Sequence, residues 1–289
     1  MGDNDSIYLS IVTVVKNDPQ GFLITGNSLL AQKSCKFNWL IVDGSSDNEI
    51  QSSVTQKFNS RLNLKYIKQE PEGIYAAMNA GWKNSSGTHI WFLNAGDYLT
   101  SSHSIDYLLA NTSATNSLIV FPTIHINSNN LIYDFTLPKI TTLENGQLVA
   151  EINHQGVVCS KQLLEKFGGF KNILEYAEDG RFLDYAVNNA ALLELNRPLV
   201  AFSFGGASTV NFRQVLSEID TYRYEMKTLH KVILLIKTKV RIFLFTKNLS
   251  RFVDYFTHNY YSKKIEKRIE KKRIDLTEMD LLFISAKKY

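Results

Sequence analysis

The sequence predicts an α/β fold: a mostly parallel central sheet with helices on both faces, followed by a helical C-terminal appendage. Three observations predict it. Short apolar, β-branched runs at Tyr8–Val15, Phe37–Val42 and Ile90–Leu93 have the make-up of strands buried on both faces. Segments with helical character alternate with them at the spacing of strand–helix–strand units. From about Asn211 the composition shifts to long basic and apolar helix formers. With 289 residues and 44% hydrophobic content, the chain suits one large domain, or one domain and an appendage.

Each element has its local reason. Lys16-Asn17-Asp18-Pro19 stops the first strand, and about Gly21–Gln32 suits a helix. After the second strand, Asp43-Gly44-Ser45-Ser46-Asp47 forms a turn, and Ser46 or Asp47 is placed to cap a helix over about Glu49–Phe58. Leu64–Gln69 is a third strand. Glu70–Asp97 is the centre of the chain. It opens on a turn at Pro71 and Gly73 and continues as a helix whose Ala76, Ala77, Ala80 and Gly81 admit a close neighbour. A turn at Ser86-Gly87 then leads into Ile90–Leu93. Further on, Ser104–Ala110 reads as a helix and Leu118–Phe121 as a strand. Residues His125–Phe135 read as a hairpin about an Asn-Ser-Asn-Asn turn, and Asn153–Cys159 as a strand. Lys161–Phe167 is a helix closed by Gly168-Gly169, Tyr176–Asn188 an amphipathic helix with Glu178 and Asp179 in its first turn, and Leu199–Phe204 a last strand.

The polar residues at the strand ends carry the chemistry. Thr13, Lys16 and Asn17 follow the first strand and Asp43 the second, so parallel pairing brings them together. There they suit a base and ribose, or Asp43 simply caps its own turn. No G-x-G-x-x-G follows the first strand and there is no P-loop. Asp97 lies just past a buried strand, where open α/β sheets hold their ligands. A carboxylate at a helix start, such as Asp179, suits a general base or an ordinary first-turn acid. A lone His such as His154 is more often a packed, hydrogen-bonded side chain than a ligand.

In order, SIVTVVKND, IVDGSSDN, EPEGIYAAMNAGWKNSSGTHIWFLNAGD, HQGVVCSKQLLEKFGGF and AED resemble the family-two glycosyltransferases of the GT-A fold, especially bacterial enzymes that build surface polysaccharides. The resemblance covers about residues 6–206. It implies that Asp43 accepts a hydrogen bond from the nucleotide base, usually uracil, with Thr13 and Val14 flanking the base and Asn17 nearby. It implies that Gly73 to Asn79 line the ribose and donor sugar. Asn94-Ala95-Gly96-Asp97 matches the metal-binding D-x-D region, leaving Asp97 as the strong ligand for Mg²⁺ or Mn²⁺, because Asn94 and Gly96 stand at positions that are acidic in the fuller pattern. Ala76 stands where relatives often carry Asp. Asp179 matches the base, while His154, Gln155 and Glu178 fall near the acceptor or diphosphate. Arg181 faces the same cleft or water. The Q-x-x-R-W motif of processive relatives is absent, which implies transfer of one sugar at a time.

The implied function is that of an inverting glycosyltransferase. It would move a sugar from a UDP-hexose or UDP-N-acetylhexosamine to a lipid-linked saccharide in O-antigen, capsule or exopolysaccharide biosynthesis. Two other classes compete. A nucleotidyltransferase would open with a Gly-rich basic loop, which VKNDPQG is not. A non-catalytic assembly protein on a decayed fold would have no reason to keep both Asp97 and Asp179.

The expected division is a GT-A domain over 1–206 and a basic helical region over 207–289. Residues 227–273 carry 14 Lys/Arg against three acids, leaving 18 basic and 25 acidic residues elsewhere. Leu229, Ile233, Ile236, Val240 and Phe243 share one helical face, and a new stripe starts at Leu249. An anionic membrane surface accounts for both the charge and the apolar face. Homodimer pairing, or packing on the domain itself, accounts for the apolar face alone. No nucleic-acid motif accompanies the charge. No signal peptide and no run of ~18 apolar residues is present, so the expected location is cytoplasmic, peripheral on the inner face of the membrane. Two cysteines, Cys35 and Cys159, suggest buried free thiols.

Overall fold

The structure, a computed structural model, describes residues 8–126, 132–171, 173–203, 214–215 and 217–219. The basic stretch 227–273 and its expected helices lie outside the described residues.

Strands β1 (Leu9–Val15), β2 (Phe37–Asp43) and β3 (Leu64–Lys68) pair in parallel, and β4 (His89–Phe92) pairs in parallel with β1 on its other side. The sheet continues through β11 (Val157–Ser160), β6 (Leu118–Val120) and β12 (Leu192–Glu194), in the order β12-β6-β11-β4-β1-β2-β3. Only β11 runs against the others in this sheet. The mostly parallel sheet expected from the sequence is therefore present.

Alternation along each strand feeds two cores, which is why the strands read as unbroken apolar runs. Leu9, Ile11, Trp39, Ile41 and Trp91 face helices α1 (Pro19–Leu30), α2 (Glu49–Ser53) and α4 (Ser104–Ala110). Phe22 stacks on Trp39 with ring centroids 5.5 Å apart, and Phe58 meets both rings edge-on. Val12, Leu40, Ile90 and Phe92 face α3 (Ile74–Lys83), α5 (Lys161–Phe167) and α6 (Glu178–Asn189) on the other side. Gly81 is the point of close approach. A Cβ there would sit 2.2 Å from Val12 Cγ1.

Several boundaries differ from the sequence reading. Helix α1 starts at Pro19, ahead of the expected Gly21, and Asp18 caps it, accepting the Gly21 N–H at 2.8 Å. The cap position of α2 is Asn48, and Asp47 accepts the Glu49 N–H. From Val54 to Phe58 that helix widens into a π-helical turn. His154–Gly156 forms a 3₁₀ turn before β11, not the start of a strand. The hairpin is present as β7 (Thr123–Ile126) with β8 (Ile132–Thr136). They share a small sheet with β5 (Tyr98–Leu99) and β13 (Val200–Ser203). Four short elements were not expected: β5, β12, and the hairpin of β9 (Lys139–Thr142) and β10 (Leu148–Glu151). Cys159 is buried as expected, its thiol pushed up to about 12 by burial, but Cys35 is exposed.

Candidate active site

The C-terminal ends of β1, β2 and β4 lie side by side, and the loops that follow them build the site. Asn17 adopts φ 51°, a left-handed conformation that Asn tolerates. It joins two of these loops. Its N–H donates to Ser45 Oγ at 2.8 Å, and its Oδ1 accepts the Ser46 N–H at 3.0 Å.

Asp43 is fully buried at the end of β2. Its Oδ1 accepts the Ser45 N–H at 2.7 Å, and its Oδ2 accepts from the Tyr66 hydroxyl at 2.6 Å and Lys68 Nζ at 3.0 Å. Burial pushes the carboxyl up, but the bonds from Ser45, Tyr66 and Lys68 together hold it below the usual carboxylate range. It is a standing anion. Tyr66 and Lys68 escaped the sequence reading, although a signal existed. They alternate on one face of β3, and Lys68 is the register partner of Asp43.

Asn94–Asp97 forms a tight turn after β4, with Gly96 at φ 94°. Thr25 on α1 anchors it, donating to Asp97 O at 2.7 Å and accepting the Gly96 N–H at 3.0 Å. Ala95 closes the turn onto β1, its N–H donating to Val14 O. Asp97 Oδ2 accepts the Asn94 N–H at 3.1 Å, and the nearby Gln155 side chain favours the ionised form of this carboxylate. Burial pushes Asp97 up to about 7, against the opposing pull of His154, Asn94 and Gln155. Asn94 Oδ1 is buried with no hydrogen-bond partner.

Asp179 occupies the first turn of α6 and keeps 25% of its side chain exposed. Its Oδ2 lies 2.9 Å from His154 Nδ1. Its Oδ1 accepts the Tyr75 hydroxyl at 2.9 Å and the Gly180 N–H at 2.9 Å. Burial pushes this carboxyl up, but the bonds from His154, Tyr75 and Gly180 outweigh it and hold it below the usual range. Burial pulls His154 down, yet the charges of Asp179 and Asp97 hold it above its ordinary value. One imidazole thus pairs with Asp179 and feels the charge of Asp97. Asn94 Nδ2 reaches its other nitrogen, Nε2, at 3.4 Å. Asn94, Asp97, His154, Gln155 and Asp179 form one connected site, to which Tyr75 is added. A Tyr on the apolar face of a helix gives no sequence signal of that role.

Four expected site residues spend their side chains elsewhere. Thr13 is fully buried, donating to Leu93 O at 2.7 Å and accepting from Trp39 Nε1 at 2.8 Å, so it joins β1, β2 and β4 rather than flanking a base. Asn79 clamps Phe170, donating to its carbonyl at 2.7 Å and accepting its N–H at 3.0 Å, so its amide does not line a donor pocket. Glu178 is fully buried and takes a two-pronged ion pair from Arg181, with a third bond from the Lys171 N–H at 2.7 Å. Arg181 in turn lies over the Phe167 ring at 4.4 Å. That pair is an internal brace, and neither reading of Arg181, cleft-facing or solvated, describes it. Gly73, at φ 98°, sits at the N-terminus of α3, and Val14 is part-buried against the α3 side of the sheet.

Among the described residues no group of three or more His, Cys, Asp or Glu could by itself hold a metal ion. Asn94 Oδ1 and the Asp97 carboxylate nevertheless fit a hard divalent cation. They are two oxygen donors in one turn, one without a partner and one whose carboxyl burial pushes up to about 7, so that a cation beside it would be favourable. Phosphate oxygens and water would supply the remaining ligands.

The family model "Glycosyl transferase family 2" matches residues 10–161. Two uncharacterized glycosyltransferases from two strains of Mycobacterium tuberculosis are each 30% identical over 91 residues, 31% of this chain. The match spans 34% of their length. Among solved structures, S. aureus TarS 1-349 in complex with UDP-GlcNAc aligns at TM-score 0.55 and 19% identity, covering 84% of this chain and 74% of that one. The mannosyltransferase PcManGT from Pyrobaculum calidifontis, in complex with GDP-Man and Mn²⁺, aligns at 0.54 and 12%, covering 81% and 69%. At these identities the likeness establishes the shared fold.

Proposed function

The chain belongs to glycosyl transferase family 2, and from that premise we propose that it moves one sugar from a UDP-linked donor to a hydroxyl of a lipid-linked glycan, inverting the anomeric carbon. The donor is a UDP-hexose or UDP-N-acetylhexosamine, and the product extends a surface polysaccharide. The observation that carries this reading is Asp179: a part-exposed carboxylate at the edge of the site, kept ionised by His154, Tyr75 and Gly180. An ionised, oriented carboxylate is what a general base must be. In the reaction, Asp179 takes the proton of the acceptor hydroxyl as its oxygen attacks the anomeric carbon. The bond from that carbon to the diphosphate oxygen breaks, and its electron pair leaves with UDP.

At the other end of the site, the standing anion of Asp43 suits the N–H that uracil offers, with the base replacing Lys68 on Oδ2. The TarS complex with UDP-GlcNAc supports a UDP donor by likeness of fold. Asp97 and Asn94 would hold Mg²⁺ or Mn²⁺, which would offset charge on the leaving diphosphate. His154 holds Asp179 from one side, and Gln155 orients Asp97. The catalytic unit spans 1–206 and the basic unit 207–289, with 227–273 meeting an anionic membrane on its cytoplasmic face. Among the described residues no helix is long and apolar enough to cross a membrane.

The test is turnover of UDP-sugars, screened one donor at a time with Mn²⁺, alongside calorimetric UDP binding. Turnover of at least one donor is expected. Absence of both turnover and UDP binding with every donor would overturn the reading.

A further inference from the structure

We propose that Glu218 is a positioning residue for the base: a carboxylate from beyond the last strand fixes the turn that delivers Asp179. This rests on Asp179 being the base. Helix α6 starts without a side-chain cap of its own, because Ala177 at the cap position has no oxygen to offer. Partners for the backbone leading into it come from far along the chain. Glu218 Oε1 accepts the Glu175 N–H at 3.1 Å, and Glu218 Oε2 accepts the Tyr176 N–H at 2.8 Å. Four residues earlier, Gln214 Nε2 donates to Glu175 Oε2 at 2.9 Å. The Tyr176 hydroxyl donates to the other oxygen of Glu175 at 2.8 Å.

Two consecutive backbone N–H groups on one carboxylate, with a side-chain bond beside them, hold residues 175 and 176 against Gln214 and Glu218. Two residues after Tyr176, the Glu178 N–H donates to the Tyr75 hydroxyl at 3.1 Å, and that hydroxyl donates to Asp179. The base is therefore held between two supports. Tyr75 and His154 belong to the catalytic body. Glu218 belongs to the region that follows it.

This support acts on rate rather than on folding. Glu175 is exposed and Tyr176 partly so, so water can replace Glu218 on their N–H groups at little cost in stability. A turn released in this way lets the carboxylate wander. Displacement of a reacting group by about 1 Å can cost ~100-fold in rate. The region after the last strand is thereby part of the working enzyme and not only an anchor.

The experiment uses the full chain. UDP-glucose and UDP-N-acetylglucosamine turnover with Mn²⁺ is measured for wild type, Glu218→Ala, Glu218→Gln and Asp179→Asn, with UDP affinity and thermal unfolding alongside. In Glu218→Ala, kcat is expected to fall about 10- to 100-fold. KM for the donor and the Kd for UDP should stay within about twofold, and the unfolding midpoint within about 2 °C. Glu218→Gln keeps one acceptor oxygen and is expected to recover part of the loss. Unchanged kcat in Glu218→Ala, with Asp179→Asn inactive, overturns this inference and leaves the proposed function standing. A rate loss that follows a lowered midpoint, with no rescue by Gln, also overturns it. Full activity of Asp179→Asn overturns both.

Discussion

His154 Nδ1 lies 2.9 Å from Asp179 Oδ2, tying the 3₁₀ turn before β11 to the first turn of α6. The contact has a pH window. Asp179 is held below its ordinary 3.8, so its share of the stabilisation is present above that value and is lost as pH falls through the lowered pKa. His154 is held above its ordinary 6.5, so its share is complete below that value and is lost as pH rises through the raised pKa. Both shares are present between about pH 4 and 6.5. His154→Gln should therefore cost most in that window, about 1.5–3 kcal/mol, and less at pH 9. Urea unfolding across this pH range measures it. A penalty that does not vary with pH would mean that the contact is not an ion pair.

Asp97 behaves in the opposite sense. Burial pushes its carboxyl up to about 7 from an ordinary 3.8, so the fold favours the protonated form. Stability is greatest below about pH 4 and declines as pH rises to about 7, above which the loss is complete. The gap between 3.8 and about 7 corresponds to ~4 kcal/mol. In the presence of a chelator, Asp97→Asn should be more stable than wild type at pH 8, by up to that amount, and should gain nothing at pH 4. The same substitution should weaken Mn²⁺ binding in the presence of UDP. Equal stability of the two proteins at pH 8 would rule out the raised pKa.

Much of the site was legible in the sequence, because strand ends in a parallel sheet are forced together. The reading named Asp43, Asp97 and Asp179, and the structure sets His154 against Asp179 and within the electrostatic reach of Asp97. What periodicity does not encode is which polar partner a side chain finds. Thr13, Asn79 and Glu178 stand beside site residues in sequence, yet each is turned inward by its partner: Thr13 by Trp39 and Asn79 by Phe170, both distant in the chain, and Glu178 by the nearby Lys171–Arg181 brace. Tyr75 shows the converse, a core-looking residue whose hydroxyl reaches Asp179. The strands that were not expected fail for a related reason. β9 reads Lys139-Ile140-Thr141-Thr142 and pairs only with β10, a pairing that few apolar residues announce.

Thr13 separates a binding role from a structural one. Thr13→Val keeps the shape but removes an oxygen that serves both Leu93 O and Trp39 Nε1. Two buried polar groups would be left without a partner, at about 1–3 kcal/mol each. The variant should unfold at lower denaturant concentration and bind UDP as wild type does at 10 °C. A loss of UDP affinity with unchanged stability would return Thr13 to the nucleotide pocket.

Glu178 and Asp179 are neighbours in the chain with opposite jobs. Asp179 is part-exposed and its partners leave it facing the site, so Asp179→Asn should keep the fold and UDP affinity and lower kcat by about 10²- to 10⁴-fold. Glu178 is fully buried, and its oxygens are taken by Arg181 and the Lys171 N–H. Glu178→Gln leaves Arg181 without a counter-charge. Because 26% of the Arg181 side chain is exposed, the cost should fall near the low end for a broken buried pair, about 3 kcal/mol. At low temperature, where the variant is still folded, its kcat should stay within a few-fold of wild type, since the Glu178 side chain does not face the site and its backbone N–H bond to Tyr75 is unchanged. Denaturant unfolding and steady-state kinetics on the two variants, measured side by side, check this. If Glu178→Gln lost activity as deeply as Asp179→Asn while remaining fully stable, the proton would be passing through the buried residue, and the base would be assigned to the pair.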